Sequence, residues 1–320
     1  TDSNLFACTD ATTDENVWYN VGGGEGDVQP WIFQGTISGY TSSGFDGSAY
    51  TNVIDKFTFA SDGNATDVGD ITVGRHVPAG QKSSTHGYTS GGGGPSNVID
   101  KFSFTTDGNA TDVGDLTVGR QGVAGQSSST HGYSSGGESP AKVNTIDKFS
   151  FATDGNATDV GDMTVARSTC SGQSSTTHGY SSGGFIEPPN SNIIEKFSFT
   201  TDGNATDVGD ITVGRYGNAG QSSTTHGYSS GGAITNTRVN VIDKFTFASD
   251  SNATDVGDLT GVNVYGAGQS STTHGYTSGG LGSSGPVTNI IEKFSFTTDG
   301  NGTDVGDITV ANYGPAGTQV

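Results

Sequence analysis

One string recurs six times along this 320-residue chain, and no reading of its fold can ignore that. In the third copy it runs from His131 to Arg167, HGYSSGGESPAKVNTIDKFSFATDGNATDVGDMTVAR. The tyrosine of its HGY or SGY triplet falls at Tyr40, Tyr88, Tyr133, Tyr180, Tyr228 and Tyr276, at intervals of 45 to 48 residues. A period of that length marks an array of supersecondary units, none of which can bury its apolar face alone. The units occupy residues 31 to 320, so the chain has to build a six-fold object.

Within the third unit the punctuation predicts four short strands. Ala124 to Thr130 reads as a small, Ser/Thr-rich strand that meets a turn at His131-Gly132. Tyr133 to Ser135 follows and stops at Gly136-Gly137, a pair suited to positive φ or close backbone approach. Thr145 to Phe151 alternates strictly, which puts Phe149 and Phe151 on one face. Asp154-Gly155-Asn156 is a turn in which Asp and Asn are expected to bond their own backbone. The last strand is read from Thr158 to Arg167, and no segment carries a helical period. Four antiparallel strands in about 45 residues make one propeller blade. The double glycine, the aromatic third strand and the Arg leading onward resemble kelch repeats. TDVGD stands where the kelch tryptophan of the fourth strand would be. The expected fold is all-β, a closed six-bladed β-propeller of four-stranded antiparallel blades.

The ends of the repeat predict how the ring closes. The first copy begins close to a second strand, at Trp31 to Tyr40, and the chain stops at Ala316 to Val320, which matches a first strand. A first strand missing at one end and left over at the other is what closure needs, because pairing the two removes both free edges. Residues 1 to 30 stand outside the repeat and are expected to form an N-terminal arm or tether, leaving 31 to 320 as the propeller. Only 30% of residues are hydrophobic and 53 are Gly, yet small residues let blades crowd an axis. The net charge of −20 argues against nucleic acid, which needs a Lys/Arg surface, and against anionic membrane. No apolar run is long enough for a membrane-spanning helix. Cys8 and Cys170 are read as free thiols. Lacking an initiator Met and a signal-peptide pattern, the chain reads as processed or as an interior piece.

Comparing the six copies separates two ends of the ring. The DGNATDVGD and THG turns barely change, whereas the segment after the double Gly differs in every unit: Phe45 to Tyr50, Gly93 to Ser96, Glu138 to Lys142, Phe185 to Asn190, Ala233 to Arg238 and Leu281 to Pro286. Strand alternation puts these loops at the same end as the linker carrying Arg75, Arg120, Arg167 or Arg215, replaced in the last two units by Asn263 and Asn312. Variable loops on a rigid scaffold are where binding sits. Those six residues are the candidate ligand-binding ring, suited to a carboxylate or anionic sugar. The competing expectation pairs each Arg with an acid of its own blade, such as Asp70 or Asp115. His86, His131, His178, His226 and His274 are read as turn residues bonding backbone, and the Asp-rich turn lacks the spacing of a calcium loop. No metal and no cofactor are expected. The Asn-X-Thr sequons at Asn64, Asn109, Asn156, Asn204, Asn252 and Asn301 are read as turn chemistry. Identical repeats offer no distinct acid pair, so catalysis is not expected, although sialidases also use six blades with Asp-bearing turns.

Taken whole, GYTSGG…NVIDKFSFATDGNATDVGDLTVGR-type units behind WYNVGGGEGDVQPWIFQG resemble repeats in virion proteins of marine tailed phages, in tail fibres and other structural components. The resemblance implies a non-enzymatic virion part, extracellular, whose partners are other virion proteins, copies of itself or a host-surface glycan. A secreted lectin-like bacterial propeller is the alternative, and a glycan hydrolase a weaker one.

Overall fold

The computed structural model describes residues 6–10, 17–20, 27–28, 31–187, 190–283 and 285–320, and no helix occurs among them. The chain divides into two compact units, 1–32 and 33–320. The first holds an antiparallel three-stranded meander of Phe6–Asp10, Val17–Asn20 and Asp27–Val28, so the expected arm has strands of its own.

The second unit is a ring of six four-stranded antiparallel blades, the expected propeller. Blade three comprises Ala124–Ser127, His131–Ser135, Thr145–Ser150 and Thr158–Asp162, counted from the axis outward. The fourth strand ends at Asp162, short of the Arg167 expected from sequence, and a β-bulge displaces its register against the third. The turn between strands one and two also sits earlier than expected. Ser128 Oγ accepts the backbone N–H groups of Thr130 and His131, so His131 already begins the second strand. Ala316–Gln319 pairs with Ser38–Ser42 and completes the first blade, which closes the ring.

Three layers hold neighbouring blades together. At the axis the first strands meet at Gly80, Gly125, Gly172, Gly220, Gly268 and Gly317. A Cβ at any of these would lie 2.1–2.2 Å from the carbonyl oxygen of the adjacent glycine. Behind them the interface is polar: Gln126 Nε2 donates to Ser135 Oγ of its own blade and to Tyr180 O and Ser181 Oγ of the next. Further out, Tyr88 stacks on Phe151 of the following blade at 4.8 Å and shares a buried cluster with Ile99, Leu116 and Phe149. Tyr276 on Phe59 repeats this contact across the closure. A hydrogen-bonded inner layer explains how so few apolar residues suffice, since buried polar groups cost little once each is paired.

The outer turn is a clasp, where sequence led us to expect only local bonds. Asn156 Oδ1 accepts the backbone N–H of Asp115 in the preceding blade, and Asp154 takes Lys101 of that blade at 2.5 Å. All six copies do the same, ending with Asn64 on Asp307 and Lys293 on Asp62. The propeller begins and ends at this uniform end. Val320 O accepts from the N–H groups of Thr36, Ile37 and Ser38. Gln34 lies across the axis there, its Nε2 on Ser222 O in blade five and its carbonyl taking Lys82 Nζ from blade two. Burial lowers the Lys82 ammonium to about 8.

Candidate functional site

The four arginines of the expected ligand ring point inward. Arg75, Arg120, Arg167 and Arg215 are at most 1% exposed, and each pairs with an acid on the third strand of the next blade. The partners are Asp100 at 2.9 Å, Asp147 at 2.9 Å, Glu195 at 2.7 Å and Asp243 at 2.7 Å. Neither Asp70 nor Asp115 is the partner: both stay with the outer clasps, where their backbone N–H groups are bonded. The same four acids accept the backbone and hydroxyl of a threonine just before the arginine, as Asp147 does from Thr117. These guanidinium groups therefore tie blade to blade and do not themselves face a surface ligand.

Asn263 and Asn312 are buried as well, and neither can neutralise the acid its arginine counterpart would meet. Glu292 and Asp55 keep only their threonine donors, Thr260 and Thr309. Desolvation without a compensating cation pushes both carboxyls above their ordinary range.

The histidines lie on the uniform end, but their rings bond side chains rather than backbone. His86 Nδ1 meets Thr85 Oγ1 at 2.9 Å, and the other four repeat the contact. Partial burial and a nearby lysine hold these imidazoles below their usual pKa. Among the described residues no group of three or more His, Cys, Asp or Glu is arranged to hold a metal ion. Cys170 carries a free, buried thiol.

The repeat dissolves in the two positions after each Arg or Asn. The second of these is in the left-handed region in all six linkers: Val77, Gly122, Thr169, Gly217, Tyr265 and Gly314. Their amides form a belt in which each N–H donates to the carbonyl of the linker before it, at 2.6–2.9 Å, and the belt closes on itself around the axis. Side chain and glycine alternate for a steric reason. A Cβ at Gly314 would meet Val77 Cγ1 at 2.7 Å, one at Gly122 would meet Thr169 Cγ2 at 3.0 Å, and one at Gly217 would meet Val264 Cγ2 and the Tyr265 ring. Two β-branched residues at positive φ, Val77 at 48° and Thr169 at 53°, carry strain of about 1–3 kcal/mol each, which the belt has to hold.

Above the belt, linkers and variable loops lie side by side, joined by bridges such as Gln121 with Glu138 and Ser168 with Phe185. They make a mouth with two unlike walls. One wall is an arc of rings: Tyr50 stacks on His76 at 5.0 Å, Phe45 and His76 meet Tyr313, and Tyr313, Tyr265, Tyr216 and Phe185 follow at 5.6–5.9 Å. The other wall is polar. Glu138 accepts Gln121 Nε2 at 3.0 Å and Ser168 Oγ at 3.3 Å. Two adjoining cavities of ≈ 200 and ≈ 240 Å³ open here, and both are lined by Glu138, Thr169 and Tyr265. Burial, with Tyr216 and Tyr313 close by, raises the Tyr265 hydroxyl well above the usual phenol range.

The structure places the six expected residues at the end of the ring that carries the variable loops, buried at the joints between blades. A signal for the mouth was present, since the three residues between each repeated Arg or Asn and the Ala-Gly or Ser-Gly that opens the next blade vary far more than those flanks do. No family model matches the chain, and a search of curated proteins finds no match.

Proposed function

We propose that this chain is a non-enzymatic recognition propeller that binds its target through the variable mouth. The observation that carries the reading is the mouth itself: six equivalent linkers there carry five different dipeptides, Tyr-Gly alone recurring at Tyr216-Gly217 and Tyr313-Gly314, and their side chains form one aromatic wall facing one polar wall. Residues kept for folding alone repeat with the blades, as the clasps do. Glu138 is the one carboxylate that lines both cavities, whereas the usual glycoside hydrolases work with a pair. The repeats' resemblance to marine phage virion proteins supports display on a virion, with a host-surface glycan as the target.

The test is retention of the fluorescently labelled chain on intact cells from a panel of marine bacteria. Retention should fall with Tyr216→Ala and Tyr313→Ala at the mouth and stay level with His178→Ala at the uniform end. Retention that follows His178→Ala and ignores both tyrosines would overturn the reading.

A further inference from the structure

Resting on that reading, we infer that the mouth takes a neutral pyranose, laid against the tyrosine wall with its hydroxyls toward Glu138. The charge at the site excludes an acidic sugar. All four repeat arginines are spent in buried ion pairs. The charged side chain that lines both cavities is a carboxylate, in a chain of net charge −20. A uronate or sialate would bring a second anion beside Glu138, and the one arginine whose charge reaches the Tyr265 hydroxyl, Arg238, is already bonded to Gly282 O. Two cations do belong to the variable loops. Lys142 lies 4.4 Å over the Phe185 ring and 3.5 Å from Glu187, and Arg238 donates to Gly282 O. Both are held by those partners.

The aromatic wall excludes a cation cage. Such a cage needs ring faces held apart around an ammonium group. Here Tyr216, Tyr265 and Tyr313 touch one another in sequence, with centroids 5.9 Å apart. Neighbouring rings in contact, tilted by 57° and 39°, leave no ammonium-sized gap between them and present a stepped aromatic surface instead. The C–H face of a pyranose suits such a surface, because its positive hydrogens meet the negative ring faces. Each Glu138 oxygen accepts a hydrogen bond, from Gln121 and from Ser168, which orient the carboxylate and leave lone pairs for sugar hydroxyls. The two cavities together fall in the few hundred Å³ expected of a small-ligand site.

Saturation-transfer NMR on the whole chain tests this, with three probe sets. These are methyl glycosides of glucose, galactose and mannose; methyl glucuronide and galacturonide; and glucosamine with choline. Tyr265→Gly is the informative variant, since glycine keeps the left-handed backbone that Gly122, Gly217 and Gly314 already show. Binding of a neutral glycoside should weaken about tenfold in Tyr265→Gly and about threefold in Glu138→Gln, with the melting temperature checked for each. A uronide that binds better than its neutral partner, and better still in Glu138→Gln, would overturn the neutral class and leave the mouth as the recognition surface. Preference for glucosamine or choline would do the same. No transfer to any probe, with cell retention still lost on Tyr216→Ala, would overturn the saccharide and spare the recognition role. Saccharide binding that Tyr265→Gly does not change would overturn both.

Discussion

The two ends of this ring obey different rules. At the uniform end Lys101 with Asp154 and Asn156 with the Asp115 amide repeat around all six joints, with Lys–Asp distances of 2.5–3.0 Å. At the variable end only four of six joints keep their Arg–acid pair, and in the linkers beyond only Tyr216 and Tyr313 repeat a side chain at the first position. The difference follows from what each residue touches. A clasp residue meets another copy of the repeat, so changing one copy breaks its fit to the next. A mouth residue faces open space on one side, so each copy is free to differ so long as the belt beneath it closes.

The largest expected effect separates a paired joint from the rest. Asp147→Asn leaves the buried Arg120 guanidinium with backbone carbonyls such as Ser134 O in place of its carboxylate. Removing one partner of a buried pair costs about 3–5 kcal/mol, which in a ring this size lowers the melting temperature by roughly 5–15 °C. An unchanged melting temperature would show that the arginine joint is not what holds these blades.

The same substitution two joints away should have the opposite sign. Asp55 has no cation, and burial raises its carboxyl. A raised folded pKa means its contribution is fully present below the ordinary carboxylate range and is lost as pH rises through the folded value. Asp55→Asn removes that loss, so the variant should melt above the parent at pH 8, with the gap closing toward pH 4. Glu292→Gln, raised for the same reason, should behave alike. Melting curves at both pH values decide it, and a variant less stable than the parent at pH 8 would reverse the account of the Asn joints.

The smallest effect belongs to the uniform end. Lys148→Ala removes an ion pair whose acid, Asp202, is 54% exposed. Solvent screens such a pair, so the loss should stay below about 1 kcal/mol. A loss as large as that of Asp147→Asn would mean the clasps, and not the buried joints, carry the ring.

Much of this architecture could be read from the chain. The alternation around Phe149 and Phe151 fixed which face is buried, and Ala316 to Val320 told how the ring closes. The joints could not be read. A repeat shows which positions are equivalent but not which copy each side chain meets, so Arg120 was assigned a partner in its own blade or a ligand when its acid lies one blade on, at Asp147. The belt was hidden for a related reason: left-handed backbone is expected of Gly122, Gly217 and Gly314, but not of Val77 or Thr169. The rings of Tyr216, Tyr265 and Tyr313 meet only across neighbouring linkers, a contact that spacing within one repeat does not reveal.

The central claim is that the mouth's departure from the repeat is its recognition surface, and restoring the repeat tests it most directly. The linker Gln121-Gly122 supplies a neutral dipeptide that already suits the belt. A single variant would carry His76→Gln, Val77→Gly, Ser168→Gln, Thr169→Gly, Tyr216→Gln, Val264→Gln, Tyr265→Gly and Tyr313→Gln. Its binding to cells and to methyl pyranosides would be measured beside its melting temperature. The account predicts a folded ring that melts close to the parent and binds neither. A folded variant that binds as the parent does would contradict it.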